Sequence, residues 1–188
     1  MKFKFSFLAM IALSTFCVSQ SYALNCNQKG DEIIKLYQLL PNETEGGYFK
    51  LTYKLDDEGS DVPKSTAIFY LLKNENRSLF HKLSSDIMYH FYSGDPVTMV
   101  LLNPNGTGST LTLGSNVLRK QQVQVVIPKN TWIGSYVAKG GCYALMGTTM
   151  TPGFDPKGYE LGNRSNLTEM YPQYKHDIFY LTNYRVIK

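Results

Sequence analysis

Residues 78–99 have the sequence SLFHKLSSDIMYHFYSGDPVTM, which contains two short segments of β-strand character and two of the chain's three histidines. Alternation along a strand places His81 on one face of the first segment, together with two leucines. In the second segment His90 and Tyr92 share a face, and the opposite face carries Ile87, Tyr89 and Phe91. Because residues 84–86 between the segments are small and polar, they favour a turn. We therefore predict that the two strands pair and that both imidazoles face the interior of one barrel.

The N-terminus has the features of a secretory signal peptide. Two lysines precede an almost unbroken apolar run at residues 5–18, and residues 21–23 offer small side chains at the two positions that a signal peptidase recognises. We predict cleavage after Ala23, which removes residues 1–23. The remaining residues 24–188 would then be secreted or periplasmic.

The composition of the mature chain indicates one domain and argues against two classes of partner. The whole sequence has a formal net charge of +4, and two of its lysines belong to the signal peptide. So small a charge, without a basic cluster, argues against nucleic acid or an anionic membrane as the partner. No later apolar run is long enough to cross a bilayer, so we expect no integral membrane segment. Abundant aromatic residues and loops rich in Gly, Asn, Pro and Thr are typical of an all-β domain.

Two cysteines, Cys26 and Cys142, remain after cleavage. In an oxidising compartment they could form a disulfide that ties the N-terminal segment to a core strand. The alternative is two unpaired thiols, and spacing alone does not choose between them. Five Asn-x-Ser/Thr sequences would carry glycans in a eukaryotic secretory pathway and would be without meaning in a bacterium.

The order of the predicted elements is one helix followed by strands and turns. Asp31 can cap a helix whose apolar residues have helical spacing as far as Leu40, and Pro41 ends it. From the glycine pair at residues 46–47 onward, short strands alternate with turn sequences, which indicates a sandwich or a barrel. Residues 177–181 are expected to form one more strand or a packing segment.

Five ordered motifs resemble a known family. They are EGGYFKLTY at 45–53, TAIFYLL at 66–72, SLFHKLSSD with YHFYSGDP at 78–96, VVIPKNTW at 125–132 and TPGFDPKGYEL at 151–161. In this order and at these separations they resemble the small cupins of unknown function that are also called cupin family 5. The resemblance implies an all-β fold: a double-stranded β-helix (jelly-roll) barrel with a short N-terminal helix. It also implies a homodimer, a likeness to the sugar-nucleotide epimerase branch of cupins, and a ligand pocket in the barrel mouth.

Departures from the family pattern bear on metal binding. Cupins that hold iron, manganese, zinc or nickel use three histidines and a glutamate. Here His81 and His90 supply two nitrogens, while Ile87 stands where relatives carry the glutamate. No third histidine lies in the second half of the barrel, and His176 is far along the chain. We therefore predict that the protein holds no metal and no other cofactor.

The residues that we expect to contact a ligand come from the family motifs and from the two histidine strands. Glu45 and Lys50 flank the glycine pair, and Lys50 keeps the charge of an arginine in relatives without its bidentate geometry. Trp132 is either a stacking platform or a core residue, and Asp155 either acts chemically or orders its loop. The predicted ligand-binding set is His81, His90, Glu45, Tyr48, Lys50, Tyr92, Trp132 and Asp155.

Three classes of function remain compatible with the sequence. The first is a secreted cupin that binds a small polar or aromatic ligand, with or without turnover. The second is an enzyme, either a metal-independent sugar or sugar-nucleotide epimerase or isomerase, or a metal-dependent oxygenase, which the missing glutamate and histidine disfavour. The third is a structural protein with a relic pocket. Whether a reaction is catalysed stays open.

Overall fold

The computed structural model describes Cys26 and residues 28–182, which fold into two antiparallel sheets with helices on their outer faces. The chain is helical at Cys26 and over residues 28–37, which we call α1. The predicted signal peptide and its cleavage site lie outside the described residues. None of the described helices is long and apolar enough to cross a membrane.

The strands of both sheets are numbered in chain order. They are β1 (Leu40–Pro41), β2 (Tyr48–Leu55), β3 (Ser65–Lys73), β4 (Arg77–Lys82), β5 (Ile87–Gly94), β6 (Val97–Leu102), β7 (Gly108–Leu113), β8 (Gln124–Ile127), β9 (Trp132–Val137), β10 (Tyr143–Met150) and β11 (Glu160–Leu161). The first sheet has the order β1-β2-β3-β10-β5-β8. The second has the order β11-β4-β9-β6-β7.

Alternating apolar side chains from both sheets meet to form the main core. On β6, for example, Val97, Met99 and Leu101 point inward and are buried, and Ile133 on β9 joins them. Side chains of a sandwiched sheet alternate between the core and the outer face, so each strand contributes every second residue. The architecture is the jelly roll that the sequence predicted, with a short N-terminal helix, and that prediction is confirmed.

Two C-terminal helices, α2 (Arg164–Met170) and α3 (Lys175–Leu181), cover the outer face of the second sheet. Ile178 and Leu181 on α3 are fully buried against Phe80 of β4 and Trp132 of β9. The expected strand at 177–181 is therefore wrong, and the alternative of a packing segment is correct. The spacing of three residues between Ile178 and Leu181 puts both on one face of a helix.

The N-terminal helix α1 packs on the outer face of the first sheet. Leu39, Leu71 and Leu145 form a small buried cluster beneath it. Cys26 is disulfide-bonded to Cys142, with the two Cα atoms 4.8 Å apart, so the bond ties α1 to the residue just before the start of β10. Of the two readings that the sequence left open, the structure has the disulfide.

The strands β4 and β5 do not form a hairpin, contrary to the sequence-based prediction. β4 pairs with β9 and β11 in the second sheet, whereas β5 pairs with β10 and β8 in the first. The turn at residues 84–86 thus carries the chain from one sheet to the other. Asp86 fixes this crossing, since its Oδ1 accepts a hydrogen bond from the backbone N–H of Lys129 at 2.8 Å.

Candidate ligand-binding cavity

A cavity of about 550 Å³ lies inside the roll, between the first sheet, β4 and the loop that follows β10. Its wall is mostly apolar and includes Phe49, Ile68, Leu83, Ile87, Met150 and Phe154. Three tyrosine rings also line it, those of Tyr70, Tyr89 and Tyr159. Its polar atoms include those of Glu45 and His81, which lie close together. A mainly apolar concavity with a few convergent polar groups is the usual form of a small-molecule site.

Strand alternation places the cavity walls. Ile68 and Tyr70 on β3 point inward, as do Ile87 and Tyr89 on β5. Thr148 on the central strand β10 completes the floor between them. The intervening residues of each strand lie on the outer face, so a single choice of face decides which side chains can meet a ligand.

Glu45 enters the cavity because the glycine pair that follows it presses against β3. Gly46 and Gly47 both have positive φ values, 96° and 73°. A Cβ on Gly47 would lie 2.8 Å from the carbonyl oxygen of Leu71, so this position requires glycine on two grounds. The hydroxyl of Tyr70 donates to the carbonyl oxygen of Gly46 at 2.8 Å and holds the turn in place.

Hydrogen bonds fix the carboxylate of Glu45, whose side chain is only 15% exposed. The hydroxyl of Ser78 on β4 donates to Oε1 at 2.9 Å. The amide of Asn42 donates to Oε2 over a longer distance, 3.5 Å. The same Oε2 lies 3.8 Å from Nε2 of His81, too far for a direct hydrogen bond.

His81 is 2% exposed, and its ring orientation is set by the backbone of its own strand. Nδ1 lies 2.8 Å from the carbonyl oxygen of Leu79. Because a carbonyl oxygen can only accept, Nδ1 carries the proton in that bond. When the ring is neutral, its lone pair is therefore on Nε2, the atom that faces Glu45.

Tyr159 contributes an unpaired hydroxyl next to this pair. Its ring stacks on His81 with a centroid separation of 5.6 Å and an angle of 15° between the planes. Its hydroxyl oxygen is buried and has no hydrogen-bond partner within the described part of the chain. Burial, and then the negative charge of Glu45, raise the pKa of Tyr159 well above that of a free tyrosine. The phenol is therefore protonated and available as a donor.

His90 does not share the cavity with His81, so the prediction of two imidazoles in one interior is wrong. Ile87 and Tyr89 occupy the inward positions of β5, which leaves His90 on the outer face. Its Nε2 lies 3.1 Å from the hydroxyl of Thr149, and its Nδ1 lies 3.0 Å from the side-chain amide of Gln124. The physical reason is the crossing between sheets at residues 84–86, which the assumed hairpin did not include.

The other residues of the predicted set divide between the cavity and the rest of the fold. Glu45 lines the cavity as expected. Tyr48 packs beneath α1, Lys50 reaches Gln38, and Tyr92 lies on the outer face beside His90. Trp132 is a core residue below the C-terminal helices.

Asp155 orders its loop, since its Oδ1 accepts from the backbone N–H of Lys157 at 2.9 Å. The neighbours of Asp155 in the chain, Phe154 and Pro156, line the cavity, whereas Asp155 itself does not.

The three tyrosines that line the cavity are absent from the predicted ligand-binding set, although the sequence carries a signal for two of them. Tyr89 lies in the Ile87-Tyr89-Phe91 row, the more apolar face of β5, and an apolar face belongs inside. Tyr70 alternates with Ile68 along β3 in the same way. Tyr159 lies in a loop, where no periodicity indicates direction.

The cavity does not fit the metal centre that some cupins carry. Its candidate ligands are Glu45 and His81, and apolar Ile87 occupies the wall. Across the described residues, no group of three or more His, Cys, Asp and Glu side chains is placed to hold a metal ion. Two donors do not provide the three or four that transition-metal sites in proteins use. We therefore derive no chemical step through a metal.

Two antiparallel sheets rolled around a ligand-sized cavity define a cupin-type barrel. Residues 31–162 match the family model described as Cupin superfamily (DUF985), and the chain belongs to this family. No curated protein matches the sequence.

Solved structures agree with this assignment. The chain is similar to a protein of Shewanella oneidensis, with 29% identity and a TM-score of 0.76 over 82% of this chain and 98% of that one. It is also similar to a hypothetical protein from Leishmania major, with 26% identity and a TM-score of 0.74 over the same shares, 82% and 98%. A cupin 2 domain-containing protein from Halorhodospira halophila shares the fold alone, at 8% identity and a TM-score of 0.52 over 74% of this chain and 85% of that one.

Proposed function

We propose that this protein binds a small molecule inside the barrel, with an apolar or aromatic body against the wall and a polar group at Glu45 and His81. The observation that carries the proposal is the buried hydroxyl of Tyr159 beside these two residues, which has no hydrogen-bond partner in the described part of the chain. A buried polar group without a partner costs free energy, so a site that keeps one is explained by a partner that arrives from outside. The cavity volume of about 550 Å³ suits a molecule of metabolite size.

A fragment screen by ligand-observed NMR, with two matched tryptophan variants, tests this proposal. Ile87→Trp fills the cavity from the inner face of β5. Met88→Trp adds the same side chain one residue later, on the outer face. We expect compounds that bind the wild type and Met88→Trp to lose binding in Ile87→Trp. Equal binding to both variants, with both folded, would place the ligand elsewhere and refute the assignment.

Proton transfer is a second candidate function, favoured by the free atoms at the polar end. His81 Nε2 can accept a proton, and the Tyr159 hydroxyl can donate one. This pair has the composition that a metal-independent epimerase or isomerase needs, although the two rings stack side by side. Compounds from the screen, incubated with protein in D₂O, would exchange a carbon-bound proton at a rate that His81→Ala abolishes. If no bound compound exchanges a carbon-bound proton, proton transfer is refuted and ligand binding without turnover remains.

We also infer that the mature protein is exported and begins at Leu24. The disulfide between Cys26 and Cys142 supports this inference, because such bonds persist in oxidising compartments. Intact-mass analysis of the exported protein should give a chain that begins at Leu24 and is two hydrogens lighter than its reduced form. A mature chain that retains Met1 would contradict it.

A homodimer is the assembly that we propose, with the edge strand β2 as the contact. β1 pairs only with residues 48 and 49 of β2, so the rest of that edge has no neighbour among the described strands. This segment exposes Leu51, Tyr53 and Leu55 by about half. Light scattering should give the mass of a dimer, and Tyr53→Lys should give a monomer. Leu118→Lys, at a position that is 95% exposed, is the control and should remain dimeric.

A further inference from the structure

When the ring of His81 is neutral, the polar end of the cavity presents two hydrogen-bond acceptors to each other with no hydrogen between them. The one N–H of that neutral ring is on Nδ1, which donates to the carbonyl oxygen of Leu79, so Nε2 has a lone pair 3.8 Å from Oε2 of Glu45. If a ligand nitrogen lies about 2.9 Å from each of these two atoms, the angle between its directions to them is about 80°. Two N–H bonds of one ammonium group can point along these directions. A hydroxyl has one hydrogen and can donate to only one of the two acceptors.

The charges around the cavity favour a cation at this point. The carboxylate of Glu45 is held inside by Ser78 and Asn42, which are neutral donors that leave its charge in place. Lys54 also lines the cavity, but its ammonium group is ion-paired with Asp56 at 2.6 Å and is half exposed at the rim. The negative charge of Glu45 raises the pKa of Tyr70 and Tyr89, after the larger effect of burial, so its field reaches across the cavity.

Aromatic rings surround the same space. Tyr70, Tyr89 and Tyr159 line the cavity together with Phe49 and Phe154. Faces of aromatic rings attract cations, and rings of this kind recognise ammonium ligands in other proteins. The Tyr159 hydroxyl can also hydrogen-bond a ligand group near His81, because the protein leaves it without a partner in the described residues.

We propose that the cavity takes a small organic cation, a primary or secondary ammonium group on an apolar or aromatic body, with the N–H groups bridging Nε2 of His81 and Oε2 of Glu45. This inference rests on the proposed binding function and names the class of its ligand. Glu45 then selects a positively charged ligand, and the apolar wall selects the shape of its body.

The test compares ligands that share one ring and differ only in the polar group. Tryptamine, tryptophol and indole-3-acetate form one set; 2-phenylethylamine, 2-phenylethanol and phenylacetate form the other. Affinities measured by NMR titration at pH 7 should be at least about tenfold higher for an ammonium member than for its alcohol, a difference of about 1.4 kcal/mol. The carboxylates should bind more weakly than the alcohols, because Glu45 repels them.

A charge-removing variant isolates the role of Glu45. Glu45→Gln should abolish the preference for the amine over the alcohol and leave the affinity for the alcohol within about threefold. Glu160→Gln, which removes an exposed carboxylate paired with Lys82 in β4, is the control and should keep the wild-type preference. Even if Glu45→Gln does not fold, the wild type alone tests the inference. A preference for the amine over the alcohol supports it, and the lack of such a preference refutes it.

The outcomes separate the two proposals. If alcohols or carboxylates bind as tightly as amines, and Ile87→Trp removes their binding, the cavity is a binding site but the cation inference is wrong. If the amines are preferred but Glu45→Gln keeps the preference, the inference is also wrong. If no compound of either set or of the fragment screen binds the folded protein, the proposed binding function itself fails.

Discussion

Oε2 of Glu45 and Nε2 of His81 face each other at 3.8 Å although the two residues are 36 positions apart and lie on different parts of the roll. The glycine turn brings the first residue in, and the hydrogen bond from Nδ1 to Leu79 turns the second toward it. Their juxtaposition inside an apolar cavity is the feature on which the functional proposals depend.

Tyr159→Phe should leave the free energy of unfolding unchanged or raise it by up to about 1 kcal/mol, because the variant removes a buried hydroxyl that has no hydrogen-bond partner among residues 28–182. Tyr171→Phe is the matched comparison, since that buried hydroxyl donates to the carbonyl oxygen of Asn103 at 2.9 Å. It should lower the free energy of unfolding by about 1 kcal/mol. Urea denaturation of both variants measures the difference, and an equal loss in both would show that Tyr159 has a partner.

Gly47→Ala should destabilise the fold more than Gly59→Ala. Both glycines have positive φ, so each alanine costs about 1–2 kcal/mol of backbone energy. Gly47→Ala would also force a Cβ against the carbonyl oxygen of Leu71, whereas no atom of the described residues lies within 4 Å of a Cβ at Gly59. Crowding should add about 1–3 kcal/mol. Thermal denaturation checks the order of the two variants, and a reversed order would contradict the close approach of the turn to β3.

Stability should fall at alkaline pH because buried groups hold their protons more tightly in the folded state. Burial, and then Glu45, raise the pKa of Tyr70 and Tyr89 above the ordinary value of 10.0. Above about pH 10 the unfolded chain therefore loses protons that the folded chain keeps. Each such group should lower the free energy of unfolding by about 1.4 kcal/mol per pH unit.

Tyr89→Phe isolates one of these contributions. Urea denaturation from about pH 9 to about pH 11 spans one unit on either side of the ordinary tyrosine pKa. Over this range the free energy of unfolding should fall less steeply for this variant than for the wild type. Tyr53→Phe, which changes a half-exposed ring, should follow the wild-type curve. Parallel curves for wild type and Tyr89→Phe would contradict the raised pKa.

Reduction of the disulfide should lower the free energy of unfolding by about 2–4 kcal/mol, since the bond closes a loop of 116 residues in the unfolded chain. Denaturation with and without a reductant measures this loss. The double variant Cys26→Ser, Cys142→Ser is the control: it should be as unstable as the reduced protein and should not respond to reductant. A wild type that is equally stable under both conditions would contradict the bond.

Much of the fold could be predicted from the sequence because its signals are local. Alternation and turn residues indicated a sandwich or a barrel with an N-terminal helix, and the resemblance of five ordered motifs to a known family implied the jelly roll. The last helix was missed, since Ile178 and Leu181 became informative only once their partners on β4 and β9 were known. Glu45 and His81, two residues of the predicted ligand-binding set, both line the cavity, and their contact with a ligand stays a prediction.

The sequence by itself determined which side chains share a face of each strand, but not which face is the inside. On β5 it grouped His90 with Tyr92 and separated both from Ile87 and Tyr89, and the structure keeps that grouping. The tertiary structure decided that the second group faces inward, because the chain crosses between sheets at residues 84–86. A period of two is the same in either orientation, and the pairing of β5 with β10 and β8 in the first sheet fixes the orientation that the fold adopts.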